Sequence, residues 1–249
     1  MTVSARALEG LPEVVQGSDL GALVARAARG GLGSDDVLCV AHKVVSKAEG
    51  RVRDLAGIEP GVRARDLAGT QGKDPRVIQA VLDEADELLR TDHGVLITVT
   101  RHGYVCANAG VDASNAGAPD RLVLLPEDPD SSARALRARL RELTGAAPAV
   151  VITDSFGRAW RHGQCEVAIG CAGLRPLDDW RGREDSEGRE LRATWIAVAD
   201  EAAAAADLVR GKDSCEPVVV ISGLERHVTR EDGPGAAALV RPEGEDLFR

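Results

Sequence analysis

Chemistry in this 249-residue chain is concentrated where apolar runs end on oxygen- and nitrogen-bearing side chains. The apolar, β-branched run Ala149–Thr153 ends on Asp154 and Ser155, and a loop carrying Gly157, Arg158, Arg161, His162, Gly163 and Gln164 follows before a second apolar run, Val167–Cys171. A carboxylate at the mouth of a buried strand suits a hard divalent cation, which takes oxygen ligands. The forked guanidiniums of Arg158 and Arg161 match phosphate oxygens. From these residues alone, a polar hairpin with solvated arginines is an equal reading. Two further stretches of the same kind add weight: residues 42–50, with Lys43 and Lys47, and 107–117, where small residues surround Asp112, Ser114 and Asn115. The combined inventory of Asp112, Asp154, hydroxyls, an amide and cationic side chains fits divalent metals bridging phosphates. Two carboxylates a few ångströms apart repel by about 4 kcal/mol at an effective dielectric of roughly 20, so a shared cation is expected between them.

The usual nucleotide and hydrolase signatures are missing. No G-x-x-x-x-G-K-[ST] occurs, and the nearest string, Gly69 to Lys73, has the wrong spacing. There is no G-x-G-x-x-G after a strand, no HExxH and no Ser-His-Asp signature. A net charge of −9 disfavours a general nucleic-acid binder, and scarce aromatics leave few platforms for stacking bases. Arginine far outnumbers lysine, which occurs at positions 43, 47, 73 and 212 alone, so two lysines four residues apart read as chosen. The five cysteines form no Cys-x-x-Cys pair, which points to reduced thiols in a cytoplasmic protein. No signal-peptide core and no bilayer-length apolar run is present, so a soluble protein that avoids membranes is expected.

The elements that must position these residues form a mixed α/β chain. It is read as one domain over 1–249, with room for two subdomains and a tail or linker over 230–249. Strands are expected near 1–8, 36–41, 122–125, 149–153 and 217–221, with a hairpin of 95–100 and 104–107 turning at Arg101–Gly103. A turn is expected at Leu11–Glu13. Helices are expected over 19–29, 42–50, 74–90 (Asp74 as cap, Pro75 at the first helical position), 130–143 and 191–209, with a weak one at 62–68. Lys43 and Lys47 then share a helix face. Residues 177–190, polar and broken by glycines, read as a long functional loop.

The strings LPEV (11–14), HKVVSKAEGR (42–51), NAGVDASN (108–115), ITDSFGRAWRHGQ (152–164), AIGCAGL (168–174) and DWRGREDSEGREL (179–191) resemble the coenzyme F-420 gamma-glutamyl ligase family. The resemblance runs in order from Leu11 to about Gly223. It implies a mixed α/β protein forming an intertwined homodimer that attaches L-glutamate to coenzyme F-420-0 using GTP, with two Mn²⁺ or Mg²⁺ ions and K⁺. It also implies residue roles. Leu11, Pro12, Glu13 and Val14 would line the nucleotide, mainly through backbone. His42, Lys43, Lys47 and Asn115 would contact GTP, and Asp112, Asp154 and Ser155 would take the metals. The loop containing Val209, Arg210, Gly211, Lys212 and Asp213 would close over the nucleotide.

Two positions depart from the family pattern. His42 stands where a small hydroxyl residue is usual, and the loop near Gly211–Lys212 has its local acid at Asp213. Some relatives carry a C-terminal nitroreductase-type domain, and residues 245–249 fall about where such a linker would begin. A related ligase acting on another acid and amine, or a non-catalytic nucleotide-binding module, are the alternatives to the ligase reading.

Overall fold

The computed structural model describes residues 2–246; Met1 and residues 247–249, the end of the expected tail, lie outside the described residues. In chain order the elements are β1 (Ser4–Ala7), α1 (Leu20–Ala27), β2 (Val37–Ala41), α2 (His42–Ala48), β3 (Val52–Asp54), α3 (Val62–Gln71), α4 (Pro75–Glu84), β4 (Ala85–Asp92), β5 (Val95–Thr100) and β6 (Val105–Ala107). They continue as β7 (Arg121–Val123), α5 (Pro129–Thr144), β8 (Ala149–Arg158), β9 (Arg161–Ala172), β10 (Asp178–Asp179), β11 (Trp195–Ile196), α6 (Val198–Asp207) and β12 (Val218–Ser222). The result is a mixed α/β fold.

Its centre is a five-stranded sheet in the order β1-β12-β2-β8-β9. Only the β2–β8 pairing is parallel; the others are antiparallel. Side chains alternate across a strand, and here both faces are apolar, which explains the unbroken runs VLCVA and AVVIT. Leu38, Val40, Val150, Ile152, Val218 and Val220 face one core with Val24 of α1 and Ala133, Leu136 and Leu140 of α5. Val37, Cys39, Val151, Val219 and Ile221 face the other, closed by Val198, Ala199, Ala202 and Ala206 of α6. The alanine stripe of α6 lets its backbone lie close to the sheet. A third core, around Ile78, Val81, Leu96, Leu122 and Leu124, joins α3 and α4 to β5 and β7. Among the described residues no helix is long and apolar enough to cross a membrane.

Helix ends follow the expected chemistry. Asp19 caps α1 by accepting from the Ala22 N–H at 3.0 Å, and Gly145 ends α5 in the left-handed region at φ 76°. Asp128 caps α5, its Oδ1 accepting from the Ser131 N–H at 2.9 Å. Asp128→Ala is therefore expected to cost about 1 kcal/mol, read as a lowering of the thermal midpoint by roughly 2–4 °C. Where α5 crosses β9, a Cβ on Gly170 would stand 2.4 Å from the Pro129 carbonyl oxygen, so only glycine permits that approach.

Four local expectations need correction. The helix begun at Pro75 ends at Glu84, and 85–92 is a strand paired with β5. Irregular register between Ala85 and Glu87 and between Leu88 and Arg90 lets Ala85 and Leu88 pack on the same core, a spacing that imitates a helix. The helix expected from Leu191 begins at Val198, because the backbone of 191–194 is engaged across a hairpin: the N–H groups of Gly182 and Trp180 donate to Leu191 O and Thr194 O. The loop after Asp154 is instead a β-ribbon, with Ser155 paired to Glu166 and Arg158 to Arg161. Finally, the turn falls at Gln16–Gly17, with Leu11–Glu13 irregular.

Candidate active site

Parallel strands β2 and β8 are in register up to Ala41 and Thr153, so the residues that follow, His42 and Asp154, emerge side by side. In open α/β sheets, the space beyond the carboxyl ends of such strands is where ligands collect. The β2 strand passes directly into α2, which places His42 and Lys43 at the start of that helix.

His42 is buried (2% exposed); its Nδ1 lies 3.3 Å from Ser46 Oγ one turn on. Its Nε2 lies 3.3 Å from Asp154 Oδ1 without the alignment of a hydrogen bond, leaving that nitrogen unsatisfied. Asp154 Oδ1 accepts from the Ser155 N–H at 2.8 Å. Among the described residues no hydrogen bond reaches Asp154 Oδ2, and the side chain keeps 16% of its surface exposed.

Lys43, the next residue, turns to the small-residue loop. Its Nζ donates to Asp112 Oδ2 at 2.6 Å, Ser114 Oγ at 2.5 Å and Ser114 O at 3.1 Å. Ser114 also donates through its N–H and hydroxyl to Asp112, both at 2.7 Å. Burial pushes the Asp112 carboxyl up, but the Lys43 ammonium and the two Ser114 bonds outweigh it and hold the group below the ordinary carboxylate range. The loop reaches this shape through left-handed backbone at Asn108, Ala109 and Asn115. Lys47, on the same face as Lys43, donates to Glu13 Oε1 at 2.5 Å and so draws the 11–14 segment to α2. Val14 is buried there, and exposed Asn115 lies in the same loop as Asp112.

A second cluster forms around Ser155. Its hydroxyl donates to Glu166 Oε1 at 2.5 Å. Glu166, 4% exposed on the facing strand, takes Arg210 Nη2 on its other oxygen at 2.5 Å. Arg210 also bonds Thr153 Oγ1 at 2.8 Å and Pro217 O at 3.3 Å, so the 209–215 loop is pinned to the sheet at that residue. Lys212 Nζ lies 2.5 Å from Ser155 Oγ; Val209 and Asp213 remain on the exposed side of the loop.

The structure thus groups the expected residues in two sets joined by the consecutive pair His42–Lys43. Arg158 and Arg161 stand apart. They face each other across the exposed end of the β8–β9 ribbon, where Arg158 Nη2 donates to His162 O at 2.9 Å. Among the described residues, no group of three or more His, Cys, Asp and Glu side chains is arranged to hold a metal. The donors Asp112, Asp154 and Ser155 are nonetheless the hard oxygens that Mg²⁺ and Mn²⁺ take, and Asp154 Oδ2 is open. Thiolate chemistry is disfavoured at the three buried cysteines: burial first, then the Asp154 charge, pushes the Cys106 thiol up to about 12, and burial does the same for Cys39 and Cys171. Sequence reasoning missed Glu166. Its signal was a lone acid directly before the apolar run Val167–Cys171; its place opposite Ser155 appears only in the structure.

Comparison with known proteins shows the family. Residues 10–223 match the family model described as F420-0:Gamma-glutamyl ligase. The chain is 48% identical over 239 residues to the coenzyme F420:L-glutamate ligase of Methanopyrus kandleri, covering 95% of this chain and 94% of that one. It is 44% identical over 255 residues to the protein of the same name from Methanothermobacter thermautotrophicus, covering both chains in full. The Haloarcula marismortui protein of that name is 45% identical over 250 residues, covering 98% of this chain and 94% of that one.

Proposed function

This chain belongs to the F420-0:gamma-glutamyl ligase family, and on that premise we propose that it joins L-glutamate to the carboxylate of coenzyme F-420-0 with GTP as the energy source. The observation that carries the reading is the side-by-side placement of His42–Lys43 and Asp154–Ser155 just past the point where the parallel pairing of β2 and β8 stops, within the matched residues.

A carboxylate is a poor electrophile, so it must first be activated. In this reading a carboxylate oxygen of F-420-0 attacks the γ-phosphorus of GTP, the bond to the bridging oxygen breaks, and GDP leaves. The amine of glutamate then attacks the acyl carbon, phosphate departs with the C–O bond pair, and the amine loses a proton. Phosphoryl transfer of this kind is catalysed mainly by positioning and charge.

The chain's residues supply both. Lys43 and Lys47 present ammoniums from one helix face, each on a carboxylate that phosphate oxygens would displace. Leu11–Val14, drawn to α2 by the Lys47–Glu13 pair, and Asn115 would line the nucleotide, and the loop from Val209 to Asp213, pinned by Arg210, would close over it. Asp112 and Asp154 would hold Mg²⁺ or Mn²⁺, which when bound offsets phosphate charge. Arg158 and Arg161, on the projecting ribbon, would engage substrate by folding over it. The intertwined homodimer is part of the same proposal, and light scattering at twice 26.2 kDa checks it.

The test is mass spectrometry of purified protein incubated with F-420-0, L-glutamate, GTP, Mn²⁺ and K⁺. Gain of glutamyl mass with GDP formed in step is expected. Nucleotide binding with GTP left intact and no product would remove the substrate assignment.

A further inference from the structure

We propose that the ammonium of Lys212 is the resident cation of the cradle around Ser155, so that this half of the site takes no divalent ion while the lysine is present. The inference rests on the ligase reading for its purpose but on this chain's own residues for its substance.

Lys212 Nζ faces three oxygens: Ser155 Oγ at 2.5 Å, Glu166 Oε1 at 3.5 Å and Asp207 Oδ1 at 3.6 Å. An ammonium has three protons to give and no acceptor, so the cradle matches its valence. The ion-paired groups also balance. Glu166 and Asp207 bring two negative charges, and Arg210 and Lys212 bring two positive ones. Arg210 is fixed, with 7% of its side chain exposed and its guanidinium on Glu166, Thr153 and Pro217. A divalent ion added to this set would place an uncompensated double charge beside two cations.

Tethering strengthens the ammonium's claim. Lys212 is held close by the anchor at Arg210, two residues before it, and a short tether gives a local concentration of millimolar order. Mg²⁺ and Mn²⁺ need several oxygen ligands, and Mg²⁺ gives up its water reluctantly. Ser155, Glu166 and Asp207 are already engaged. The family resemblance implies two metal ions; here the lysine supplies the positive charge of the second. Its side chain is two-thirds exposed, so the ammonium lies at the surface where a nucleotide's phosphates would approach.

Removal of that charge is the test. The free-Mn²⁺ electron paramagnetic resonance signal is titrated against wild-type protein and Lys212→Met, with Mn²⁺ alone as probe. Methionine fills the same volume and offers no cation and no oxygen. The variant is expected to bind one Mn²⁺ per chain more than wild type. Asp207→Asn in the Lys212→Met background is expected to abolish that extra ion. No gain on Lys212→Met, or a gain that survives Asp207→Asn, overturns the proposal. Glutamylation of F-420-0 is read separately by mass spectrometry. If Lys212→Met gains the ion but wild-type protein makes no product, the ligase reading alone falls; if wild-type protein makes product but Lys212→Met gains no ion, the Lys212 assignment alone falls.

Discussion

Asp154→Asn is expected to abolish GTP-dependent glutamylation while leaving the folded protein intact. Asparagine has the same shape, and its carbonyl oxygen can accept the Ser155 N–H as Asp154 Oδ1 does at 2.8 Å. Burial is incomplete, and the carboxylate makes no aligned hydrogen bond with His42, so little of the core depends on its charge. What is lost is the negative charge of a carboxylate whose Oδ2 accepts no hydrogen bond among the described residues. In the proposed site that charge would hold the divalent ion that offsets phosphoryl charge, and electrostatic stabilisation of this kind typically carries on the order of 10²-fold or more in rate. Initial rates of GDP release and glutamyl product, with thermal melts as the control for folding, decide it. Near-normal turnover in the variant would remove Asp154 from the metal site.

The second large effect concerns stability. Glu166→Ala is expected to destabilise the protein by about 3 kcal/mol, because it strands a buried guanidinium. The side chains of Glu166 and Arg210 are 5% and 7% exposed and meet at 2.5 Å. Thr153 Oγ1 and Pro217 O would still accept from Arg210, which places the cost at the lower end of the range for a broken buried pair. For a chain of this size the loss corresponds to a fall of roughly 6–12 °C in thermal midpoint. The double variant Glu166→Leu with Arg210→Met is expected to recover much of the loss, since an apolar pair of similar volume removes both desolvated charges together. A single variant as stable as wild type would show that the pair contributes nothing. A double variant no better than the single would show that packing, and not the stranded charge, sets the cost.

These two residues also show how unevenly the site was legible. Asp154 could be found by reading because a carboxylate directly after an apolar run stands out in one dimension. Glu166 could not be weighed that way, since its importance comes from Ser155 across the ribbon and from Arg210, 44 residues later. Lys43 and Lys47 were recognisable from spacing alone, but their partners, Asp112 and Glu13, were not. The resemblance named nearly all of these positions without saying which of them touch.

The sequence by itself determined the local structure wherever neighbouring residues govern the outcome. Capping residues and apolar period placed α1 and α5, and unbroken β-branched runs placed β2, β8 and β12. Only the tertiary structure decided the rest, because partners distant in the chain set it. Pairing with β5 turned 85–92 from a helix into a bulged strand. Cross-strand bonds to 180–183 delayed α6 to Val198. Antiparallel pairing with β9 carried Arg158 and Arg161 away from Asp154 on a ribbon. The parallel register of β2 and β8 brought His42 beside Asp154, a juxtaposition that no local pattern encodes.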